Sequence, residues 1–133
     1  IKGIYPPEIK EGDRSSYWFY LLRVNEEELG IDIDTFIEAV NAEGIPCSKG
    51  YIAHCVYEYE MFKNKTGFEN THAPFNSSDY GKDISYPKGL CPVAEEVLKT
   101  SIRIPTNEFY TREDIEAQIE AIKKVAAWYS QEM

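Results

Sequence analysis

The sequence predicts an α+β domain, in which a small antiparallel or mixed sheet is covered by helices. Three observations support this class. Residues 17–24 are rich in aromatic and branched side chains, which are typical of strands. Apolar residues recur at helical spacing between Ile115 and Tyr129. Strand-like and helix-like segments alternate along the chain, and the strands are few, which favours helices packed on a small sheet.

Composition narrows the classes of partner. The chain has 133 residues and a formal net charge of −9 at pH 7, and 43% of its residues are hydrophobic. These values are typical of one globular domain and not of a disordered chain. The acidic balance argues against binding to nucleic acid or to an anionic membrane. No apolar run approaches the ~18 residues that a membrane span needs. We therefore expect a soluble, cytoplasmic protein.

The first third of the chain reads as lead-in, strand, loop and helix. Residues 1–16 contain Pro6 and Pro7 and read as an extended segment. Residues 17–24 predict a strand that is buried on both faces. Residues 25–30 read as a solvated acidic loop.

A helix follows this loop. Asp32 or Asp34 is expected to cap it, because a short carboxylate accepts the free N–H groups of a first turn. Phe36, Ile37 and Val40 fall on one face of that helix. The helix is expected to end near Gly44, where a left-handed residue is favoured; Ile45-Pro46-Cys47 then predicts a short strand.

The middle of the chain has weaker patterns. Residues 57–64 predict a short helix with Tyr57, Met61 and Phe62 directed inward. Residues 66–88 predict a long loop, whose use as a lid, a partner contact or a mobile connection the sequence leaves open.

Regular patterns return near the C-terminal end. Pro92 suits the first turn of a helix that carries Ala94, Val97 and Leu98 on one face. Residues 102–105 alternate as a short strand does. Thr111 opens the last helix, with Asp114 in an arrangement like a capping box. The apolar stripe of this helix predicts core packing and comprises Ile115, Ile119, Ile122, Val125, Ala126 and Tyr129.

No residue pattern defines a self-contained active site. Phosphate-loop, dinucleotide-binding and zinc-protease motifs are absent, and Cys47, Cys55 and Cys91 lack the spacing of a disulfide framework or a structural zinc site. His54 adjoins Cys55, but adjacent residues of an extended chain point to opposite faces, so a local hydrogen bond of His54 is favoured over a catalytic pair. No spacing favours a metal site at His54 and His72.

Two basic residues leave alternatives open. Lys49 follows an apolar segment, and a lysine at a strand end is favoured over one that forms Schiff bases. Arg103 lies between Ile102 and Ile104 and therefore faces away from the layer that they bury. A solvent-facing position is favoured, and presentation of the guanidinium to an anionic ligand is the alternative. Tyr51, Tyr57 and Tyr59 could line a pocket near the long loop.

Several segments, taken in order, resemble one known family. They are Ser-Tyr-Trp-Phe-Tyr at residues 16–20, Asp-Thr-Phe-Ile to Glu-Gly-Ile-Pro at 34–46, Cys-Pro-Val-Ala-Glu at 91–95, Ile-Arg-Ile-Pro at 102–105 and Thr-Arg-Glu-Asp-Ile-Glu at 111–116. Together they resemble the C-terminal small domain of the DegT/DnrJ/StrS family. Its members are pyridoxal-phosphate-dependent aminotransferases that act on nucleotide-linked keto sugars and related cyclitols.

This resemblance implies that residues 1–16 lead in from a missing N-terminal large domain and that residues 17–133 form the small domain. In the family, the lysine that bonds pyridoxal phosphate (PLP) lies in the large domain, and none of the lysines here stands in that context. The resemblance therefore implies a parent transaminase that contains PLP and forms a homodimer. The fragment alone would bind no cofactor and would be inactive.

The resemblance also implies which residues contact the substrate. The family often has a tyrosine, a short gap and Pro-Leu-His at this place; Tyr51 and His54 match this pattern, whereas Ile52 and Ala53 depart from it. Tyr51 and His54, with Lys49 behind them, would position the substrate and exclude water, without catalytic, cofactor-binding or metal-binding roles. Core packing of Tyr51 is the alternative role. A freestanding α+β ligand- or partner-binding module, with an acidic surface and a long loop, is the alternative for the whole chain.

Overall fold

The computed structural model describes residues 1–68, 72–75 and 84–130. These residues belong to two compact units. Unit 1 comprises Ile1–Tyr51 and Lys99–Met133, and unit 2 comprises Ile52–Leu98.

Four strands form one antiparallel sheet, which confirms the predicted α+β class. They are β1 (Ile4–Tyr5), β2 (Phe19–Val24), β3 (Ser48–Lys49) and β4 (Ser101–Pro105), in the spatial order β1-β2-β4-β3. The α-helices of the described residues are α1 (Glu26–Leu29), α2 (Ile33–Ala42), α3 (Glu60–Lys63), α4 (Pro92–Thr100) and α5 (Arg112–Ser130).

One face of the sheet, here called the helix side, forms the core of unit 1. Leu22 of β2 lies opposite Ile102 of β4, and both are buried. Phe36 of α2 and Val125 of α5 are buried in the same cluster. The fold of unit 1 therefore depends on apolar side chains at alternate strand positions that pack against helix stripes.

The opposite face of the sheet, here called the outer face, is less buried. Phe19, Leu21 and Arg23 of β2 lie on it and are half-buried. The prediction of a strand from residue 17 that is buried on both faces is therefore wrong. Tyr17 has a left-handed backbone with φ of 42°, and Trp18 is 76% exposed, so the aromatic run begins before the sheet does.

The predicted acidic loop at residues 25–30 is also wrong, because the chain forms α1 there. Asn25 caps this helix by accepting a hydrogen bond from the Glu28 N–H, and Gly30 ends it with φ of 79°. Leu29 is fully buried and approaches Gly3 so closely that a Cβ on Gly3 would lie 2.7 Å from Leu29 Cγ. A single apolar residue thus anchors an acidic turn that composition suggested was solvated.

Helix α2 has the predicted cap at its start. Asp32 Oδ1 accepts a hydrogen bond from the Thr35 N–H at 2.9 Å, so the cap is Asp32 and not Asp34. Gly44 is left-handed with φ of 87°, as expected just after the helix.

Strand β3 lies one residue beyond the predicted segment 45–47. Asn41 accepts from the Cys47 N–H at 2.9 Å and donates to the Cys47 carbonyl at 3.2 Å. These bonds occupy the Cys47 backbone, so pairing with β4 begins at Ser48.

Helix α5 begins as predicted but is buried over only part of its length. Thr111 and Asp114 exchange hydrogen bonds between backbone N–H and side-chain oxygen, as in a capping box. Ile122, Val125 and Ala126 are buried, whereas Ile115 and Ile119 are 41% and 44% exposed. The prediction that the whole apolar stripe packs in the core is therefore wrong for the first turns of α5.

Unit 2 contains a 3₁₀ helix at Val56–Glu58, then α3, and most of α4. The single helix predicted at residues 57–64 is thus divided in two. Tyr57 is buried as predicted, whereas Met61 is 50% exposed. Much of the loop predicted at residues 66–88 lies outside the described residues. Across the described parts of the chain, no helix has the length and apolar character needed to cross a membrane.

Candidate ligand-binding site

Tyr51 belongs to an exposed aromatic cluster in unit 1, defined by Trp18, Phe19 and Tyr51. The Tyr51 ring stacks on the Phe19 ring, with centroids 5.0 Å apart and an interplanar angle of 13°. The Trp18 ring contacts the Tyr51 ring in an edge-to-face arrangement, with centroids 5.8 Å apart. Tyr51 is 44% exposed. Neighbouring rings hold this side chain, but much of it stays open to solvent, unlike a core residue.

The aromatic cluster lies across the outer face of the sheet. Phe19 is on the outer face of β2, and Tyr51 follows the end of β3. Strand β4 lies between β2 and β3. Since neighbouring strands are about 4.8 Å apart, a stack that joins Phe19 to Tyr51 spans the outer face of β4.

That part of β4 carries a set of polar side chains. Ser101 and Arg103 lie two residues apart and therefore share the outer face, with Arg23 opposite Ser101. Arg23 Nε donates to Thr100 Oγ1 at 2.8 Å. Arg103 faces away from the core layer as predicted, but it is half-buried and not open to solvent.

Lys49 lies on the other side of the sheet from Tyr51. It pairs with Ile102, whose side chain is on the helix side, and its Nζ lies 2.8 Å from Asp34 Oδ2. An ammonium group in an ion pair has no lone pair with which to attack a carbonyl. The structure therefore does not bring Lys49 and Tyr51 together on one face.

His54 lies in unit 2 and is exposed, next to the buried Cys55. Burial raises the pKa of the Cys55 thiol, and the nearby Glu58 and Glu95 carboxylates raise it further. A thiol in these surroundings is held in its protonated, weakly nucleophilic form. The local environment therefore gives no support to a Cys–His nucleophile.

A partly buried tyrosine–carboxylate pair in unit 2 was not visible in the sequence. The Tyr57 hydroxyl donates to Glu95 Oε1, which also accepts the Gly89 N–H at 2.7 Å. Burial, together with this hydrogen bond, raises the pKa of Tyr57 to about 12, and the same bond lowers the pKa of Glu95. The two partners are 38 residues apart, so no local spacing indicates the pair.

Unit 1 also contains an apolar groove of about 440 Å³ on the helix side. The exposed Ile115 and Ile119 of α5 form one wall, and no charged side chain lines it. The lining residues are Ile1, Ile4, Pro6, Tyr20, Leu22, Ile104, Pro105, Thr106, Ile115, Gln118, Ile119 and Ile122. Among the described residues, no three His, Cys, Asp or Glu side chains gather as a metal site would require.

This architecture occurs within aminotransferases. The chain is similar to an aminotransferase from Psychrobacter cryohalolentis (TM-score 0.64, 22% identity, 87% of this chain and 25% of that one). It is also similar to a DegT DnrJ EryC1 StrS aminotransferase from Brucella abortus (TM-score 0.60, 18% identity, 96% and 26%). A third similar structure is the aminotransferase TlmJ from Streptoalloteichus hindustanus (TM-score 0.59, 16% identity, 95% and 27%). The chain therefore has a fold that forms about a quarter of a DegT/DnrJ/StrS-type aminotransferase, as the sequence resemblance predicts.

Sequence comparison gives one further relative. An uncharacterized protein of Methanocaldococcus jannaschii is 26% identical over 127 residues, which cover 96% of this chain and 28% of that protein. No family model matches the chain. The chain thus spans about a quarter of the length of each of these relatives.

Proposed function

We propose that this chain is the C-terminal small domain of a PLP-dependent aminotransferase that acts on a nucleotide-linked keto sugar or a cyclitol. The observation that carries the proposal is the fold match, which covers nearly all of this chain and about a quarter of each aminotransferase. Residues 1–16 would lead in from a larger N-terminal domain, and residues 17–133 would be the small domain. The intact protein would be a cytoplasmic homodimer that takes its amino group from an amino acid such as glutamate or glutamine.

The described residues of this chain do not fit PLP. That cofactor needs a lysine amine for its aldehyde and hydrogen-bond donors for its phosphate, whereas the apolar groove has no charged lining and Lys49 is paired with Asp34. The larger domain would therefore hold the cofactor and supply its amino-transfer chemistry. The 133-residue chain would be inactive alone.

In this assignment the chain helps to enclose the substrate. Tyr51 is the best-supported contact, because its ring is held by Phe19 and remains 44% exposed. His54 would be a further contact, carried over from the family pattern. Lys49, expected behind them from the neighbouring sequence, is paired with Asp34 on the helix side and so would not contact the substrate together with Tyr51. The expected role of these side chains is to position the substrate and exclude water.

The apolar groove supports a partner for unit 1. Ile1, Ile115 and Ile119 are each more than 40% exposed. Contiguous exposed apolar surface of this kind usually marks an interaction site. In the intact protein, the large domain would be the partner that covers it.

The size of the natural polypeptide tests this proposal. We would raise an antibody against the 133-residue chain and probe an extract of the source cells. Because the chain covers 28% of its curated relative, we expect a band at roughly four times the 15.3 kDa of the chain. The captured protein should release PLP on denaturation and should transfer an amino group from glutamate to a nucleotide-linked keto sugar.

The opposite result would favour the freestanding binding module. A single band at 15.3 kDa, with no PLP released, would exclude the aminotransferase assignment for this protein. The purified 133-residue chain provides a control for the assay, since it should neither retain PLP nor transfer amino groups.

A further inference from the structure

The apolar groove of unit 1 lies where helix α5 is only partly covered. Over its later turns, α5 packs in the core through Ile122, Val125 and Ala126. Over its first turns, Ile115 and Ile119 line the groove together with side chains of β2 and β4, yet they are 41% and 44% exposed. One apolar stripe is thus buried along half of its length and uncovered along the other half.

The first residue of the chain lies in the wall of this groove. Ile1 lines the groove and is 58% exposed. The residues that follow Ile1 are held firmly, because the Gly3 N–H donates to Glu28 Oε2 at 2.9 Å and Ile4 is buried in the core. The Gly3 carbonyl also accepts from the Asn25 N–H at 2.9 Å. Any residues that precede Ile1 in a longer polypeptide therefore leave unit 1 beside the groove.

The lining of the groove favours a helix over an extended segment as its occupant. Its polar side chains are those of Tyr20, Thr106 and Gln118, and Thr106 Oγ1 already donates to the Trp18 carbonyl at 2.9 Å. A segment on such a surface has to satisfy its own backbone N–H and C=O groups. An α-helix does so by bonding each N–H to the carbonyl four residues earlier.

A helix in the groove would run beside the first turns of α5. The α5 side chains that line the groove extend from Ile115 to Ile122, which corresponds to about 10.5 Å or two helical turns. A partner helix that matches this length needs apolar residues at intervals of three and four. No charged side chain lines the groove, so the matching face of the partner has to be apolar as well.

We propose that the residues immediately before Ile1 in the natural polypeptide form an amphipathic helix that packs in the apolar groove. The inference rests on the proposed function, which supplies the larger polypeptide, and it assigns the groove to the one segment of that polypeptide that adjoins Ile1. The similar proteins are all about four times as long as this chain, so they contain further polypeptide. Because the helix is joined covalently at Ile1, its effective concentration at the groove is about millimolar, and modest intrinsic affinity is enough.

Hydrogen exchange in the natural full-length polypeptide tests this proposal. Ile119→Asp places a charge in the groove, and Ala117→Asp is the matched control, because Ala117 is an exposed residue of the same helix outside the lining. Mass spectrometry of peptic peptides follows the segment before Ile1. We expect its amides to exchange at least about tenfold faster in Ile119→Asp than in the wild type, and at the wild-type rate in Ala117→Asp.

A second measurement needs no substitution, so it does not depend on the folding of a variant. A synthetic peptide with the sequence that precedes Ile1 is titrated into the 133-residue chain, and the isoleucine methyl signals are followed by NMR. We expect saturable shifts at Ile115 and Ile119 and none at Ile9, which is exposed in unit 1 but does not line the groove. Ile119→Asp should weaken this binding at least about tenfold, a change of about 1.4 kcal/mol.

Equal exchange of the segment in all three full-length proteins, or a peptide that shifts neither groove methyl, overturns the proposal. Self-association of the 133-residue chain that Ile119→Asp abolishes would assign the groove to a second copy and would also overturn it. A larger polypeptide that releases PLP but fails these tests refutes the helix alone. A natural polypeptide of 15.3 kDa without PLP refutes the aminotransferase assignment and the helix together.

Discussion

Strand β4 has a fully buried residue on each of its two faces, but one of these residues is apolar and the other is polar. Ile102, on the helix side, and Ser101, on the outer face, are each 0% exposed. Ile102 is surrounded by apolar side chains of the core cluster, whereas the Ser101 hydroxyl bonds to no described residue. Burying apolar surface stabilises a fold by roughly 25 cal/mol per Å², and burying an unpaired hydroxyl opposes folding. The helix side therefore stabilises the fold, whereas the unpaired Ser101 hydroxyl on the outer face opposes it.

The largest expected effect is on the helix side. Ile102→Ala should lower the free energy of unfolding by about 2–5 kcal/mol, because it leaves a cavity in a closely packed core. Urea denaturation monitored by circular dichroism measures the change. Ser101→Ala is the matched control at the next residue, with no loss expected; equal losses in the two variants would show that both faces support the fold alike.

A smaller difference in the free energy of unfolding is expected between two substitutions in α5. Ile122 is 7% exposed and borders the core, so Ile122→Ala should cost about 2 kcal/mol. Ile119 is 44% exposed in the wall of the apolar groove, so Ile119→Ala should cost less than about 1 kcal/mol in the isolated chain. The same denaturation experiment compares them. A cost at Ile119 as large as that at Ile122 would mean that the groove is filled within the chain itself.

Periodic and capping signals made much of unit 1 predictable. Strands β2 and β4 and helices α2 and α5 follow from apolar spacing and from caps such as Asp32 and Thr111. The failures have specific causes. Leu29 buries an acidic turn through a contact with Gly3, which is distant in sequence, and the Asn41 side chain shifts the start of β3. A local pattern contains no information on such tertiary contacts.

The candidate site was less predictable than the fold. Alternation about Arg103 correctly places its side chain away from the core layer, but only the structure shows its buried, unpaired Nε. The stack of Tyr51 on Phe19 joins a residue of β2 to one that follows β3, and these two strands are not neighbours in the sheet. The roles of Tyr51, His54 and Lys49 stay predictions, and the structure places Lys49 on the helix side.

The pH dependence of the α2 cap gives a finer test of the helix side. Hydrogen bonds from the Thr35 backbone and side chain lower the pKa of Asp32 from 3.8. Its ionised form therefore stabilises the fold above pH 3.8, and this contribution is lost as the pH falls through the lower folded pKa. Asp32→Ala should reduce stability near neutral pH by less than Ile102→Ala does.

Asp32→Asn is the matched control for the cap. Asparagine is also a good capping residue but does not titrate, so this variant should keep most of the stability at neutral pH. Thermal unfolding of the three proteins from pH 2 to pH 7 compares them. If the wild type and Asp32→Asn lose stability in parallel below pH 4, the acid dependence arises from another carboxylate.

The smallest expected effect concerns the chemical reactivity of the Cys47 thiol, which lies at the edge of the core on the helix side. Cys47 packs against the core cluster, and burial raises its pKa to about 11, so at pH 7 its thiol is held in the protonated, weakly reactive form. Cys91 is exposed. Iodoacetamide should therefore alkylate Cys91 first, and Cys91→Ser should remove the fast phase, as peptide mass analysis would show. Fast alkylation of Cys47 in the folded chain would mean that the edge of the core next to β3 opens often, and that the closed packing described for the helix side does not persist there.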